Sequence, residues 1–411
     1  MTTLMKDSGI DWIGEIPEGW KVKRLKDISK ISTGNTPPRI NDCNFSKNKK
    51  EGVKWIKPEN LNNNLNILIE ETKEYITKQG EQYIKIFEDN SIIMSGIGDV
   101  GKIGLSNGRF STNQQNHIVH NIKGNYKFLS YYILSSNFRL KSISSGTVVP
   151  ILNATNFKLL ECVVPPLETQ QKIAEYLDVE VSKLDKQVSL LERKYALLGD
   201  YKDALIFETV TQGINKNVAM KDSGIDWIGK IPEGWKKGRL KDTLKLMTKS
   251  NFPAGDSVAD GDYTFYVSGQ KTKKINKTNL KKDAILIATG GRFITHYNKN
   301  SECAYSTDVL AIGSKKENLS YLYYFIKARE NMFNDLYFSG MGIKHLQRND
   351  FLGCQYVYPS LKTQQEIADY LDVEVAKLDK QRELIKRKVE LLKEYKEALI
   401  FEVVTGKKEV K

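Results

Sequence analysis

Residues 96–101 read GIGDVG, a literal G-x-G-x-x-G. Three glycines at that spacing hold a nucleotide when they open a helix whose N-terminus receives a pyrophosphate. Here KIGLSNGRF follows, with Gly104 and Gly108 in it, and that composition reads as strand and turn. The expectation is therefore a hairpin or bulge with close backbone approach. ATGGRFITHY at 288–297, the comparable place further on, keeps only two adjacent glycines. His117 and His120 would share a helix face as metal ligands, but NQQNHIVHNI alternates like a strand, so no metal site is expected there. Cys43, Cys162, Cys303 and Cys354 are far apart and form no C-x-x-C, which points to ordinary thiols.

The side chains left for chemistry are those of recognition. Arg109, Asn113, Gln114 and Gln115 form one group; Lys271, Lys273, Lys274, Arg292, Lys344, His345, Gln347 and Arg348 form another. Such residues neutralise phosphates or read base edges, and equally serve as solvated surface. A net charge of +13 and a pI near 9.2 favour a polyanionic partner, nucleic acid before membrane, although a Lys-rich proteome would give the same excess. No Walker motif, nuclease carboxylate cluster or nucleophile constellation is present, and TPPR at 36–39 and VPPL at 164–167 lack the acidic or amide residue and the aromatic of a methyltransferase Pro-Pro motif. The chain alone is expected not to be a catalyst. The N-terminus has no basic flank or apolar run and no stretch approaches the ~18 apolar residues of a spanning helix, so a cytoplasmic protein is expected.

What must position these groups is a repeated frame. MKDSGIDWIGEIPEGW begins at Met5 and returns at Met220, 215 residues on, with only Glu15 changed to Lys230. LETQQKIAEYLDVEVSKLDKQ begins at Leu167 and returns as LKTQQEIADYLDVEVAKLDKQ at Leu361, 194 residues on. The second match continues to Thr211 and Thr405, with 31 identities in 45 aligned positions. Recent duplication explains the borders. It does not explain interiors, 21–166 and 236–360, that have diverged almost beyond recognition. At 411 residues the chain has room for roughly two to four domains.

The second block is helical. Ile173, Leu177, Val181, Leu184, Val188, Leu191, Tyr195 and Leu198 recur at spacings of 4, 4, 3, 4, 3, 4 and 3, the mark of a coiled-coil seam. The later copy gives Ile367, Leu371, Val375, Leu378, Arg382, Ile385, Val389 and Leu392, with Arg382 as the one polar intrusion. Gly199 gives way to Lys393 and good helix formers follow both, so each helix is expected to run about 40 residues, roughly 60 Å. Each stripe needs a partner, and the other copy, antiparallel, is the expected one. Exposed Lys183, Asp185, Lys186 and Gln187 recur as Lys377, Asp379, Lys380 and Gln381, which suits either a shared partner surface or a solvated face preserved by duplication.

Between the helices, NSIIMSG, NHIVHNI, DAILIAT and DVLAIGS read as strands, whereas YKFLSYYILSSNFRLKSI and LSYLYYFIKARENMFNDL have helical spacing. The fold class is thus α+β: two globular α/β domains separated by two long antiparallel helices, in a pseudo-twofold internal repeat. Expected boundaries are 1–166, 167–215, 216–360 and 361–411.

The K-D-S-G-I-D-W-I-G-x-I-P-E-G-W lead-in, the P-P-L-E-T-Q-Q approach to the long helix and its Y-K-x-A-L-I-F-E-x-V-T exit together resemble the specificity subunit of a type I restriction-modification system, over nearly the whole chain. One departure is YPSLKTQQ, where Ser360 and Lys362 replace Pro166 and Glu168, a change that could alter the local turn. The resemblance implies two target recognition domains, each reading half of a bipartite, asymmetric site in double-stranded DNA. It implies helices that set the gap and dock two modification subunits, which use S-adenosylmethionine to methylate adenine. Restriction subunits, motor-nucleases using ATP and Mg²⁺, join for cleavage. No cofactor or metal is expected on this chain itself.

By the same carry-over three segments of each domain would face DNA. In the first these are 96–102, 111–115 and 146–153, with Ser95, Gly96, Lys102, Asn113, Gln114, Gln115, Thr147 and Asn153. In the second they are 290–292, 306–308 and 340–347, with Gly291, Arg292, Ser306, Thr307, Lys344, His345 and Gln347. Two other functions compete: a self-sufficient enzyme holding a nucleotide or S-adenosylmethionine at GIGDVG, and a structural coiled-coil protein whose basic charge is incidental.

Overall fold

The computed structural model describes residues 4–39, 43–65, 68–146 and 148–410. Thr147 lies outside them. The chain divides into two compact units, Met1–Leu191 with Arg387–Lys411, and Glu192–Lys386. Each unit therefore takes one globular segment, the start of the long helix that follows it in sequence, and the end of the other long helix.

In the first unit the apolar run around Ile92–Ser95 forms a strand buried along its whole length. It sits in an antiparallel sheet ordered Lys30–Thr33, Asn116–His120, Ile92–Ser95, Ile103–Leu105. A second sheet is ordered Phe110–Thr112, Gly52–Ile56, Tyr75–Thr77, Phe45–Ser46, its first pair parallel. The expected helical stretch folds as Tyr126–Ser135 and Asn137–Ser142. Asn125 caps the former, its side chain accepting the Phe128 N–H at 2.9 Å.

The second unit repeats this plan despite its different sequence. Leu244–Leu246, Val309–Ser314, Ala284–Ala288 and Thr295–Asn298 form the antiparallel sheet. Cys303–Tyr305, Tyr263–Tyr266 and Lys273–Ile275 form the other, again with its first pair parallel. Among the described residues no strand corresponds to Phe45–Ser46, so part of the second segment's shortening falls at that sheet edge. Asn318 caps Leu319–Lys327 as Asn125 caps its counterpart, accepting the Tyr321 N–H at 2.9 Å.

The long helices span Leu167–Gln212 and Leu361–Val404, 46 and 44 residues. The positions expected to form the seam are those withdrawn from solvent. Ile173, Leu177, Val181, Leu184, Ile367, Leu371, Leu378, Ile385 and Val389 are buried, while Val188, Leu191, Tyr195, Leu198, Val375 and Leu392 are half-buried. Within each unit the two helix segments run antiparallel. Lys396 meets Asp185 at 2.7 Å and Lys408 lies over Tyr176 in the first; Lys202 meets Asp379 at 2.7 Å and Arg382 lies over Tyr195 in the second. The seam is not purely helix on helix. Ile173, Leu177, Val181 and Leu184 belong to one buried cluster with the sheet and helices of their own unit as well as with Leu399, Ile400 and Val403.

Arg382, the polar intrusion, fits because its guanidinium sits 4.2 Å from the Tyr195 ring centroid and Gly199 leaves the room. A Cβ at Gly199 would come within 3.3 Å of the Arg382 guanidinium, a tight contact, and the glycine does not end the helix, which continues through it.

Candidate nucleic-acid interface

GIGDVG is a hairpin turn. Ile92–Ser95 and Ile103–Leu105 pair on either side of it, with Ser95 N–H donating to the Lys102 carbonyl at 2.8 Å. A strand follows the glycines, not a helix, so no helix N-terminus faces a pyrophosphate. A Cβ on Gly96 would lie 2.6 Å from His117 Nε2, which makes that glycine a packing requirement, and Gly101 holds φ at +83°, which favours glycine. The residues therefore do not fit a nucleotide or S-adenosylmethionine at this turn, and the self-sufficient enzyme loses its one motif. His117 is buried with Nε2 2.7 Å from the Leu152 carbonyl, and burial lowers its pKa. It lies on a strand beside His120, not on a helix face. Among the described residues no group of three or more His, Cys, Asp or Glu could hold a metal ion. Cys162, Cys303 and Cys354 are buried, and burial pushes the Cys303 thiol up to about 12.

Three separated segments meet at this turn. Gly96 N–H donates to the Gln115 carbonyl at 2.8 Å, and the Gly96 carbonyl accepts from Leu152 N–H at 2.8 Å. Gly98 N–H donates to the Pro150 carbonyl at 2.9 Å. The second unit builds the same junction from other residues. Thr289 N–H donates to the Asp308 carbonyl at 2.9 Å, Gly291 N–H to the Lys344 carbonyl at 2.8 Å, and Leu346 N–H to the Thr289 carbonyl at 3.0 Å. Backbone geometry is thus common to the two junctions, and the side chains they present differ.

The candidate side chains divide by position. Gln114 and Gln115 are exposed beside half-buried Asn113, and Asn113 Nδ2 donates to Gln115 Oε1 at 3.1 Å. Gln114 Oε1 accepts from Thr36 Oγ1 at 2.6 Å. Lys102 is half-buried, and Asn153 is exposed while capping Ala154–Lys158. In the second unit Gly291, Arg292, Lys344, His345 and Gln347 are exposed around the junction, and Arg292 donates to Asn331 Oδ1 at 2.8 Å. Lys273 and Lys274 are exposed on the edge strand of the smaller sheet, with Lys271 exposed just before it; Lys273 pairs with Phe265, next to Tyr266, whose carbonyl accepts Ser306 N–H.

Three expected residues are placed differently. Ser95 and Ser306 are fully buried, the first donating to the Ile97 carbonyl and the second accepting from Asp308 N–H, so their hydroxyls shape the turns and are not offered to a ligand. Arg109 stands at the far end of Phe110–Thr112 from Asn113 and is paired with Glu81 at 3.0 Å, outside the junction.

The frame residues prove to bind one another. Trp12 packs on Tyr132, Phe138 and Phe401, so the first lead-in block rests on the end of the second long helix. Trp227 packs on Phe325, Phe333 and Phe207, so the second lead-in block rests on the end of the first. The T-Q-Q motif has the same kind of reason. Buried Gln170 accepts Asn125 N–H at 2.9 Å and donates to the Pro165 carbonyl at 2.8 Å. Buried Gln364 accepts Asn318 N–H at 2.9 Å and donates to the Pro359 carbonyl at 3.0 Å. Ser360 leaves this turn unchanged: the carbonyls of Pro166 and Ser360 each accept from the following glutamine N–H at 2.9 Å. Asn125 and Asn318 were legible only by aligning the residue before each domain helix, a signal that the divergence around them conceals.

The family model for the type I restriction modification DNA specificity domain matches residues 17–198 and 232–394. The chain belongs to this family. A curated relative, the type I restriction enzyme MjaIX specificity subunit of Methanocaldococcus jannaschii, is 31% identical over 250 residues, 59% of this chain and 55% of that protein. The chain thus spans about half the length of the curated relatives it matches first. Among solved structures, a chain described under complex assembly and conformational transition of the type I R-M system has a TM-score of 0.70 at 14% identity, covering 95% of this chain and 99% of that one. The HsdS subunit from Thermoanaerobacter tengcongensis gives 0.50 at 15%, covering 95% and 98%. These likenesses carry the fold of a specificity domain written twice, one copy to each matched segment.

Proposed function

We propose that this chain is the noncatalytic DNA-recognition subunit of a type I restriction-modification complex, with 1–166 and 216–360 as its target recognition domains and 167–215 and 361–411 as its spacer helices. Each domain reads one half of a bipartite, asymmetric site. The observation that carries the reading is the paired junction: the same three-segment backbone arrangement in both units, with Lys102, Asn113 and Gln115 around one and Arg292, Lys344 and Gln347 around the other. A common scaffold with different polar and basic side chains is what two different half-sites require. The setting is cytoplasmic; no helix among the described residues is long and apolar enough to cross a membrane.

The long helices dock two modification subunits, which use S-adenosylmethionine; restriction subunits using ATP and Mg²⁺ join for cleavage. Support comes from one exposed face. Lys183, Gln187, Leu190, Lys194, Leu197 and Tyr201 of the first helix are all exposed and all identical to Lys377, Gln381, Leu384, Lys388, Leu391 and Tyr395 of the second. The buried seam itself varies over the same stretch, at Val188/Arg382, Leu191/Ile385 and Tyr195/Val389. A wet, partly apolar face held more constant than a packed one fits two copies of one protein partner. Asp185 and Asp379 need no such explanation, since each is engaged by a lysine of the opposite helix.

The test is methylome sequencing of DNA from cells expressing this chain with its modification subunit. A split motif carrying methyladenine in both halves, with one half changing when one domain is exchanged, is the expected result. An unmethylated genome despite an assembled, active methylase would overturn the reading.

A further inference from the structure

Each unit ends its junction in a short ribbon whose tip is apolar. In the second unit Phe338–Ser339 pairs antiparallel with His345–Leu346, and between them Met341 is fully exposed and Ile343 largely so. In the first unit Ser145 bridges Ile151, and Val148 stands 91% exposed with Val149 half out beside it. These tips are held in place. Gly291 and Leu346 tie one ribbon to its glycine turn, and Gly98 and Leu152 tie the other.

Large apolar side chains left in water forgo the burial that stabilises them elsewhere, so two such tips at equivalent places call for an occupant. The surroundings indicate its chemistry. Lys344 follows Met341 by three residues in the same ribbon, Arg292 adjoins Gly291, whose N–H meets the Lys344 carbonyl, Lys102 closes the turn that anchors the ribbon of Val148, and the chain carries +13 overall. An apolar point set among cations matches a surface with phosphates at its rim and an apolar group within. In duplex DNA that group is the thymine C5 methyl in the major groove. A two-stranded ribbon fits the undeformed major groove, about 12 Å wide, without the widening that the minor groove, about 6 Å wide, would need, which makes the major groove the first choice.

We propose that Met341 and Val148 are specificity-determining residues, each contacting a thymine methyl in the major groove of the half-site its domain reads. This rests on the DNA-recognition reading above. The assay is binding of the chain, complexed with its modification subunit, to duplexes carrying its site with each thymine replaced singly by uracil, which lacks only the methyl. At one position in the second domain's half-site, uracil should weaken wild-type binding about five- to tenfold. Met341→Ala should bind the thymine duplex that much more weakly and show no further loss with uracil. Val148→Ala should behave likewise in the other half-site, and neither variant should alter the half it does not read. Both side chains are exposed, so both variants should melt as wild type does.

Tolerance of uracil at every position, a half-site without thymine, or an equal loss by Met341→Ala on all duplexes including unrelated ones would overturn the proposal; the last outcome would indicate a wedge or a phosphate neighbour instead. A wild-type complex that fails to distinguish its site from unrelated DNA would sink the recognition reading itself, which separates the two failures.

Discussion

Gly213 and Gly406 lie just past the two long helices, one residue out of register in the repeat, and replacing each by alanine should have unequal consequences. Both have positive φ, +80° and +76°, so either alanine carries the left-handed penalty of about 1–2 kcal/mol. The gain from a stiffer unfolded chain is also common to both and cancels in the comparison. The surroundings are different. A Cβ at Gly213 would rest 3.4 Å from Trp235, an ordinary contact, whereas one at Gly406 would fall 2.5 Å from Pro17 Cδ and 3.0 Å from Trp20. A proline ring cannot rotate away, so the lead-in block must shift, which adds an overpacking term of about 1–3 kcal/mol. Gly406→Ala should therefore be the more destabilising by that amount. Urea unfolding gives the total, and amide hydrogen exchange across residues 5–20 and 220–235 reports each unit separately. Faster exchange in 5–20 for Gly406→Ala, with little change in 220–235 for Gly213→Ala, is expected. Equal costs, or undisturbed exchange in 5–20, would refute the claim that the first lead-in block is held by the end of the second helix.

Gln364→Leu should destabilise the second unit by about 2–4 kcal/mol, because it strips the partners from Asn318 N–H and the Pro359 carbonyl, whereas exposed Gln365→Leu should stay within about 0.5 kcal/mol; thermal melting compares them. Leu184→Asp places a charge in the buried seam and should cost at least about 3 kcal/mol, while Leu190→Asp, on the exposed face, should leave melting unchanged but weaken capture of the modification subunit in a pull-down; the reverse pattern would show the seam misassigned. Stability should fall as pH drops below the ordinary histidine value of 6.5, since burial lowers the folded-state pKa of His117, His120 and His296 and the unfolded chain then binds more protons. That contribution is fully present above 6.5, and urea midpoints between pH 7.5 and 5 should show the decline, reduced in His117→Gln.

Much of this architecture was legible because two periodicities and one repeat each have a single physical meaning. Apolar residues at spacings of 3 and 4 from Ile173 to Leu198 mark a helix with a buried stripe, and the short apolar run Ala284–Ala288, too short for a helix of ordinary length, folds as a core strand. The junction was legible as three separate segments, but their union depends on backbone hydrogen bonds such as Gly96 to Gln115, which any residues can make and which no side-chain pattern records. The same limit explains Ser95 and Ser306. A serine beside a glycine turn has the right type for a phosphate contact, and only burial shows that its hydroxyl is spent on the turn. Arg109 looked free because Glu81, 28 residues earlier, reaches it only through the fold.

Internal packing accounts for one part of the repeated frame and leaves another part to the proposed docking. Trp12, Trp227, Gln170, Gln364, Asp185 and Asp379 recur because the frame grips itself: each lead-in block packs on a long-helix end, each glutamine ties a domain helix to a long helix, and each aspartate meets a lysine on the opposite strand of the coil. Internal packing would preserve these positions with no partner at all. It would not preserve Leu190, Leu197 and Tyr201 against Leu384, Leu391 and Tyr395, which are more than half exposed. Selection for self-packing should have let that face vary before Tyr195 became Val389 or Val188 became Arg382. The order is the other way round, which is what the docking proposed above, of one kind of modification subunit on both helices, requires and self-packing alone does not.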